Sequence, residues 1–69
     1  MDKDINRIKA VLADNRKTNK WLSEQLGVSP TTVSKWCTND YQPPMETFVK
    51  IAKILNVDVT DLIRIEKIQ

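Results

Sequence analysis

The chain has one glycine, Gly27, which directly follows Leu26 at the end of a short apolar-periodic stretch. A glycine there can take the left-handed backbone that ends a helix without the penalty a side chain incurs. The residues beyond it restart a helix at once. Val28 is expected to turn inward, Ser29 is a good N-cap, and Pro30 stands at the first helical position, where its missing N–H and fixed φ do no harm. Two short helices joined by a tight turn therefore occupy the middle of the chain.

Apolar spacing supplies the other elements. Ile5, Ile8, Val11 and Leu12 recur at helical intervals and predict a first helix from Asp4 to Ala13, with Asp2 and Asp4 near its positive end. Thr18 is the expected N-cap of the second helix, which buries Leu22 and Leu26, while Trp21, off that face, either packs half-buried on the first helix, the favoured reading, or stands outside it. The third helix runs from Pro30 to about Cys37, with Val33 and Trp36 inward. Asn39 suits a left-handed residue at its end, and Thr38 to Pro44 reads as a loop. Phe48, Ile51, Ala52 and Leu55 form a strong stripe for a fourth helix that starts at Met45, counts Met45 and Phe48 as core, and ends at Asn56. Asp58 and Asp61 cap a fifth, short helix that returns Leu62, Ile63 and Ile65 to the core. No strand is required, so the fold class is all-α, with five helices in one domain spanning 1–69.

Composition narrows the function. With 69 residues the chain buries only about 60% of its unfolded surface, which leaves little room for a deep catalytic cavity. There is no His and one Cys, so the usual general base and paired-thiolate metal sites are missing, and one Gly makes no phosphate loop. An enzyme is not expected, nor a cofactor, a metal or a small-molecule ligand. Cys37, without a His to activate it, reads as a small buried hydrophobe. No run approaches the roughly 18 apolar residues that span a bilayer, and the N-terminus lacks the order of a signal peptide. A cytoplasmic protein without membrane contact is the expectation.

The net charge of +2 is unevenly spread. Residues 16–38 carry Arg16, Lys17, Lys20 and Lys35 against Glu24 alone, a balance of +3, while residues 1–15 cancel and residues 39–69 come to −1. The positive excess coincides with the two central helices. Between them, Ser23 must be small where the helices cross, Gly27 makes the turn, and Val33 with Trp36 anchors the second helix while its outer face projects.

The stretch TNKWLSEQLGVSPTTVSKWCTN, Thr18 to Asn39, resembles the Cro/repressor-type helix-turn-helix family, also called lambda-repressor-like or XRE-type domains. QPPMETFVKIAKILNVDVTDLI is similar to that family's fourth and fifth helices, so the likeness spans roughly residues 5 to 65. It departs at Pro30, where many members have Gln, at Ser23 for Ala, and at Cys37 and Asn39 for an acidic residue and a Gly.

The resemblance implies a compact five-helix domain whose Asn19 to Leu26 helix crosses a DNA backbone while Pro30 to Cys37 lies in the major groove. Carried over by position, Pro30, Thr31, Thr32, Ser34 and Lys35 would meet base edges, with Lys35 the best donor to guanine O6 and N7. Arg16, Lys17 and Lys20, with Thr18 and Asn19 at the helix N-terminus, would meet phosphates, and Thr38, Asn39 and Tyr41 would add a second set. The implied protein is a bacterial or phage transcriptional regulator on double-stranded DNA, binding as a homodimer to a palindromic site. In the tail 64–69, Ile65 and Ile68 either meet a partner subunit or lead on to a further domain. The other reading is a protein-interaction module such as an antitoxin or adaptor.

Overall fold

A computed structural model describes residues 5–64. Its elements are α1 (Ile8–Asp14), α2 (Asn19–Leu26), α3 (Pro30–Cys37) and α4 (Met45–Leu55), followed by one 3₁₀ turn, Val59–Leu62. The expected Ile65 and Ile68 contacts lie outside the described residues. Among those residues no helix is long and apolar enough to cross a membrane.

The core is assembled from one stripe of each element. Ile8, Val11 and Leu12 of α1 meet Leu22 of α2, Val33 and Trp36 of α3, and Phe48, Ile51 and Leu55 of α4, with Leu62 closing one side. Trp21, Leu26 and Val28 pack partly buried against it, as their positions predicted. Gly27 takes φ 72° and its N–H donates to the Ser23 carbonyl at 2.8 Å, which ends α2. No heavy atom lies within 4 Å of where its Cβ would stand, so backbone conformation rather than space demands the glycine.

Both ends of the described stretch depart from the periodicity. The first helix begins at Ile8, because Asn6 pairs with Ile63 and its Oδ1 accepts the Ile8 N–H at 3.1 Å. Ile5, expected on the apolar face, is 53% exposed. In place of a fifth α-helix there is the 3₁₀ turn, closed by the Asp61 N–H donating to the Asp58 carbonyl at 2.9 Å. The Asp61 carboxylate accepts the Asp58 N–H at 3.1 Å. Ile63 is then extended and pairs antiparallel with Asn6, where no strand pairing was expected. Arg7 N–H to the Leu62 carbonyl at 2.8 Å and Arg64 N–H to the Ile5 carbonyl at 2.6 Å make that bridge. Met45 is also a correction: it occupies the first turn of α4 and is 63% exposed, so the core face of this helix begins at Phe48.

Candidate nucleic-acid interface

The α2-turn-α3 unit is fixed by side chains at each corner. Thr18 Oγ1 accepts the Trp21 N–H at 3.0 Å, and Ser29 Oγ accepts the Thr32 N–H at 3.1 Å with Pro30 in the first turn. Each bond satisfies one of the donors a helix start leaves open. Ser23 is buried and turns its hydroxyl back onto the Lys20 carbonyl at 2.7 Å, so a small polar residue sits between the helices without an unpaired group. The far corner is tied by the Cys37 thiol, which donates to Asn19 Oδ1 at 3.3 Å and joins the end of α3 to the start of α2. Burial pushes the Cys37 thiol up from its ordinary value, partly offset by the Lys9 charge, so it stays neutral near pH 7.

With Val33 and Trp36 buried, α3 presents Pro30, Thr31, Ser34 and Lys35 to the outside. Thr31, Ser34 and Lys35 share one helical face by their spacing. Thr32 is half-buried and its hydroxyl lies 2.9 Å from that of Ser29, which occupies the group expected to face a base. Lys35 Nζ stands 5.1 Å from the centre of the exposed Tyr41 ring. Arg16, Lys17 and Lys20 are exposed around the start of α2, with Lys17 Nζ 4.7 Å over the Trp21 ring.

The loop after α3 holds the largest difference from expectation. Asn39 does take the left-handed conformation, at φ 63°, but it is only 8% exposed and its side chain is turned into the protein. Oδ1 accepts the N–H groups of Ile5 at 2.8 Å and Asn6 at 2.9 Å and the Gln42 amide at 3.0 Å, while Nδ2 donates to the Asn6 carbonyl at 3.3 Å. Only the second Nδ2 hydrogen of this buried side chain is left for a phosphate. The single hydroxyl hydrogen of Thr38 is shared between the Lys35 carbonyl at 3.2 Å and the Asp40 carboxylate at 3.0 Å, so it would reach a phosphate only by leaving both.

Asn6 and Gln42 complete the network and had no signal in the sequence. Asn6 Nδ2 donates to the Trp36 carbonyl at 2.9 Å and to Gln42 Oε1 at 2.7 Å, across 30 and 36 residues of chain. Among the described residues no group of three or more His, Cys, Asp or Glu is placed to hold a metal ion.

This geometry is that of a helix-turn-helix domain, and comparison with known proteins agrees. The helix-turn-helix family model matches residues 8–62, most of the chain, and the protein belongs to that family in its Cro/repressor (XRE) form. It is a family of non-enzymatic domains, so no reaction is sought in the site. Among solved structures the chain is similar to one reported as the "crystal structure of a putative DNA-binding protein from Bacteroides fragilis", at 52% identity and a TM-score of 0.86. That match covers 87% of this chain and 97% of the other. No curated protein matches.

Proposed function

We propose that the protein binds double-stranded DNA sequence-specifically and regulates transcription by occupying an operator, as a homodimer on a palindromic site in the bacterial or phage-infected cytoplasm. The observation that carries this reading is α3 itself. Its inner side is committed to the core, its start is capped, and Thr31, Ser34 and Lys35 project outside the core. A helix held in this way at a glycine turn has the form of a major-groove reader, with Pro30 contributing van der Waals contact only.

The phosphate contacts follow from charge and helix polarity. The N-terminus of α2 leaves the Asn19 and Lys20 N–H groups without an intrahelical partner, and Arg16, Lys17 and Lys20 surround it. These groups neutralise backbone charge without reading sequence, whereas Lys35 can donate to guanine. The helix-turn-helix family and the similar structure reported as a "putative DNA-binding protein" support the DNA-binding reading.

Selection of bound sites from random duplex DNA, followed by salt titration, tests the proposal. A palindromic motif with half-sites about 34 Å apart is expected, or a multiple of that spacing. Lys35→Ala should cost about 1–3 kcal/mol at one base pair. Lys20→Ala should weaken binding to all sequences and reduce the slope of log K against log salt by about 0.9. No duplex binding at low salt would instead leave the surface to a protein partner.

A further inference from the structure

We infer that Tyr41 is a positioning residue for sequence reading: its ring holds the Lys35 ammonium where that group can meet a base edge, so base preference at the Lys35 position depends on an aromatic side chain outside the recognition helix. The inference rests on the DNA-binding reading above and goes beyond it by giving Tyr41 a role other than phosphate contact.

Lysine is a poor reader on its own, because its long stem samples many rotamers and must be ordered each time it binds. Here the ammonium lies 5.1 Å from the Tyr41 ring centre, within the roughly 6 Å range of cation–π attraction. The ring face attracts the charge without accepting its hydrogens in ordinary hydrogen bonds, so donors on the other side of the ammonium remain for guanine O6 and N7. No carboxylate among the described residues competes for it. Asp40, beside Tyr41, has its carboxylate on the Thr38 hydroxyl at 3.0 Å.

The ring is itself held, although 61% exposed, because the backbone on both sides of it is pinned. The Lys35 carbonyl accepts the N–H groups of Asp40 at 2.9 Å and Tyr41 at 3.3 Å, which folds the loop back over the last turn of α3. On one flank Asn39 turns the chain at φ 63° with its buried amide tied to Ile5 and Asn6. On the other flank Gln42 is bonded to both Asn39 and Asn6. A loop fixed in this way holds the Tyr41 ring beside Lys35 before DNA arrives, and an ordered side chain loses less freedom on binding.

Two measurements on the full chain test this. In the free protein, the ε-methylene protons of Lys35 should be shifted upfield by the ring in NMR spectra, should lose that shift in Tyr41→Ala and should keep it in Tyr41→Phe. In selection from a random duplex pool, Lys35→Ala identifies the base pair that Lys35 reads. At that pair Tyr41→Ala should lower discrimination by about two- to fivefold, the range expected for an exposed cation–π contact, and Tyr41→Phe should retain it. Adding Tyr41→Ala to Lys35→Ala should cause no further loss there. Equal weakening on all sequences, with Tyr41→Phe as impaired as Tyr41→Ala, would mean that the hydroxyl contacts phosphate and would overturn the inference. So would an unshifted Lys35 in the wild type, even if the wild type selects a clear motif. A wild type that selects no motif removes the DNA-binding reading and the inference with it. Thermal melting of each variant confirms that folding is intact, as expected for a substitution at an exposed ring.

Discussion

Replacing Asn39 with alanine and with glycine separates two contributions that the native residue combines. The alanine variant loses three accepted hydrogen bonds and one donated bond. The Asn6 N–H is buried and would be left without a partner, at a cost of about 1–3 kcal/mol, while the less buried Ile5 and Gln42 groups can turn to water. Alanine must also hold φ near 63°, which adds about 1–2 kcal/mol that glycine avoids. The expected losses are therefore about 2–5 kcal/mol for Asn39→Ala and about 1–3 kcal/mol for Asn39→Gly. A chain of this length has roughly 3–10 kcal/mol in all, so the alanine variant should be close to unfolding. Urea denaturation followed by the fluorescence of buried Trp36 should show the alanine midpoint lowered by about 1–3 M, with the glycine variant between it and wild type. Asn56 provides the control: it has nearly the same backbone, φ 58°, but is exposed, so Asn56→Gly should stay within about 0.5 kcal/mol of wild type. If Asn39→Gly were as mild as Asn56→Gly, the Asn39 amide would contribute nothing and the reasoning about the buried network would be refuted.

Gly27→Ala should cost about 1–2 kcal/mol, because the added methyl meets no atom within 4 Å and only the left-handed backbone is strained. Thermal unfolding would read this as a fall of about 4–8 °C per kcal/mol, and Gly27→Asn should recover part of it. Cys37 gives a pH dependence of known sign. Its thiol is raised above the ordinary value by burial, so the unfolded chain ionises first as pH rises. The contribution is complete below the unfolded thiol's value and declines as pH climbs above it, so wild type should lose stability through alkaline pH by more than Cys37→Ala does. Equal slopes for the two in urea titrations at a series of pH values would contradict the burial of this thiol.

The parts of the fold that were legible in the sequence are those whose signals are local. Thr18, Ser29 with Pro30, Gly27 and Asn56 each act within a turn of their own position, and α2 begins and ends, α3 begins and α4 ends where those residues indicate. Ile5 misled because it continues the helical spacing of Ile8 and Val11, yet it belongs to a segment whose partner, Leu62 to Arg64, lies at the other end of the described chain. Periodicity cannot weigh a pairing between distant segments against one more helical turn. The interface divides in the same way. The outward face of α3 follows from its caps and period, whereas the burial of Asn39 depends on Asn6, and the aromatic neighbour of Lys35 depends on how the loop folds back.

These distant contacts bear on the proposed reading surface as well as on stability. The ends of the described chain meet through the Arg7 to Leu62 and Arg64 to Ile5 bonds, and the N–H groups of Ile5 and Asn6, adjoining that bridge, reach Asn39. Asn39 and Gln42 in turn bracket the residue that holds Lys35. The bridge joins two short segments with few hydrogen bonds, and such regions open with less free energy than the helical core. Each opening would withdraw donors from Asn39 and loosen the loop on one side of Tyr41, while Ser29, Val33 and Trp36 kept α3 in place. α3 and the ring beside Lys35 therefore lean on different parts of the molecule: α3 mainly on the apolar core, with one bond from Asn6 to the Trp36 carbonyl, and the ring on a polar network that reaches the paired ends of the described chain.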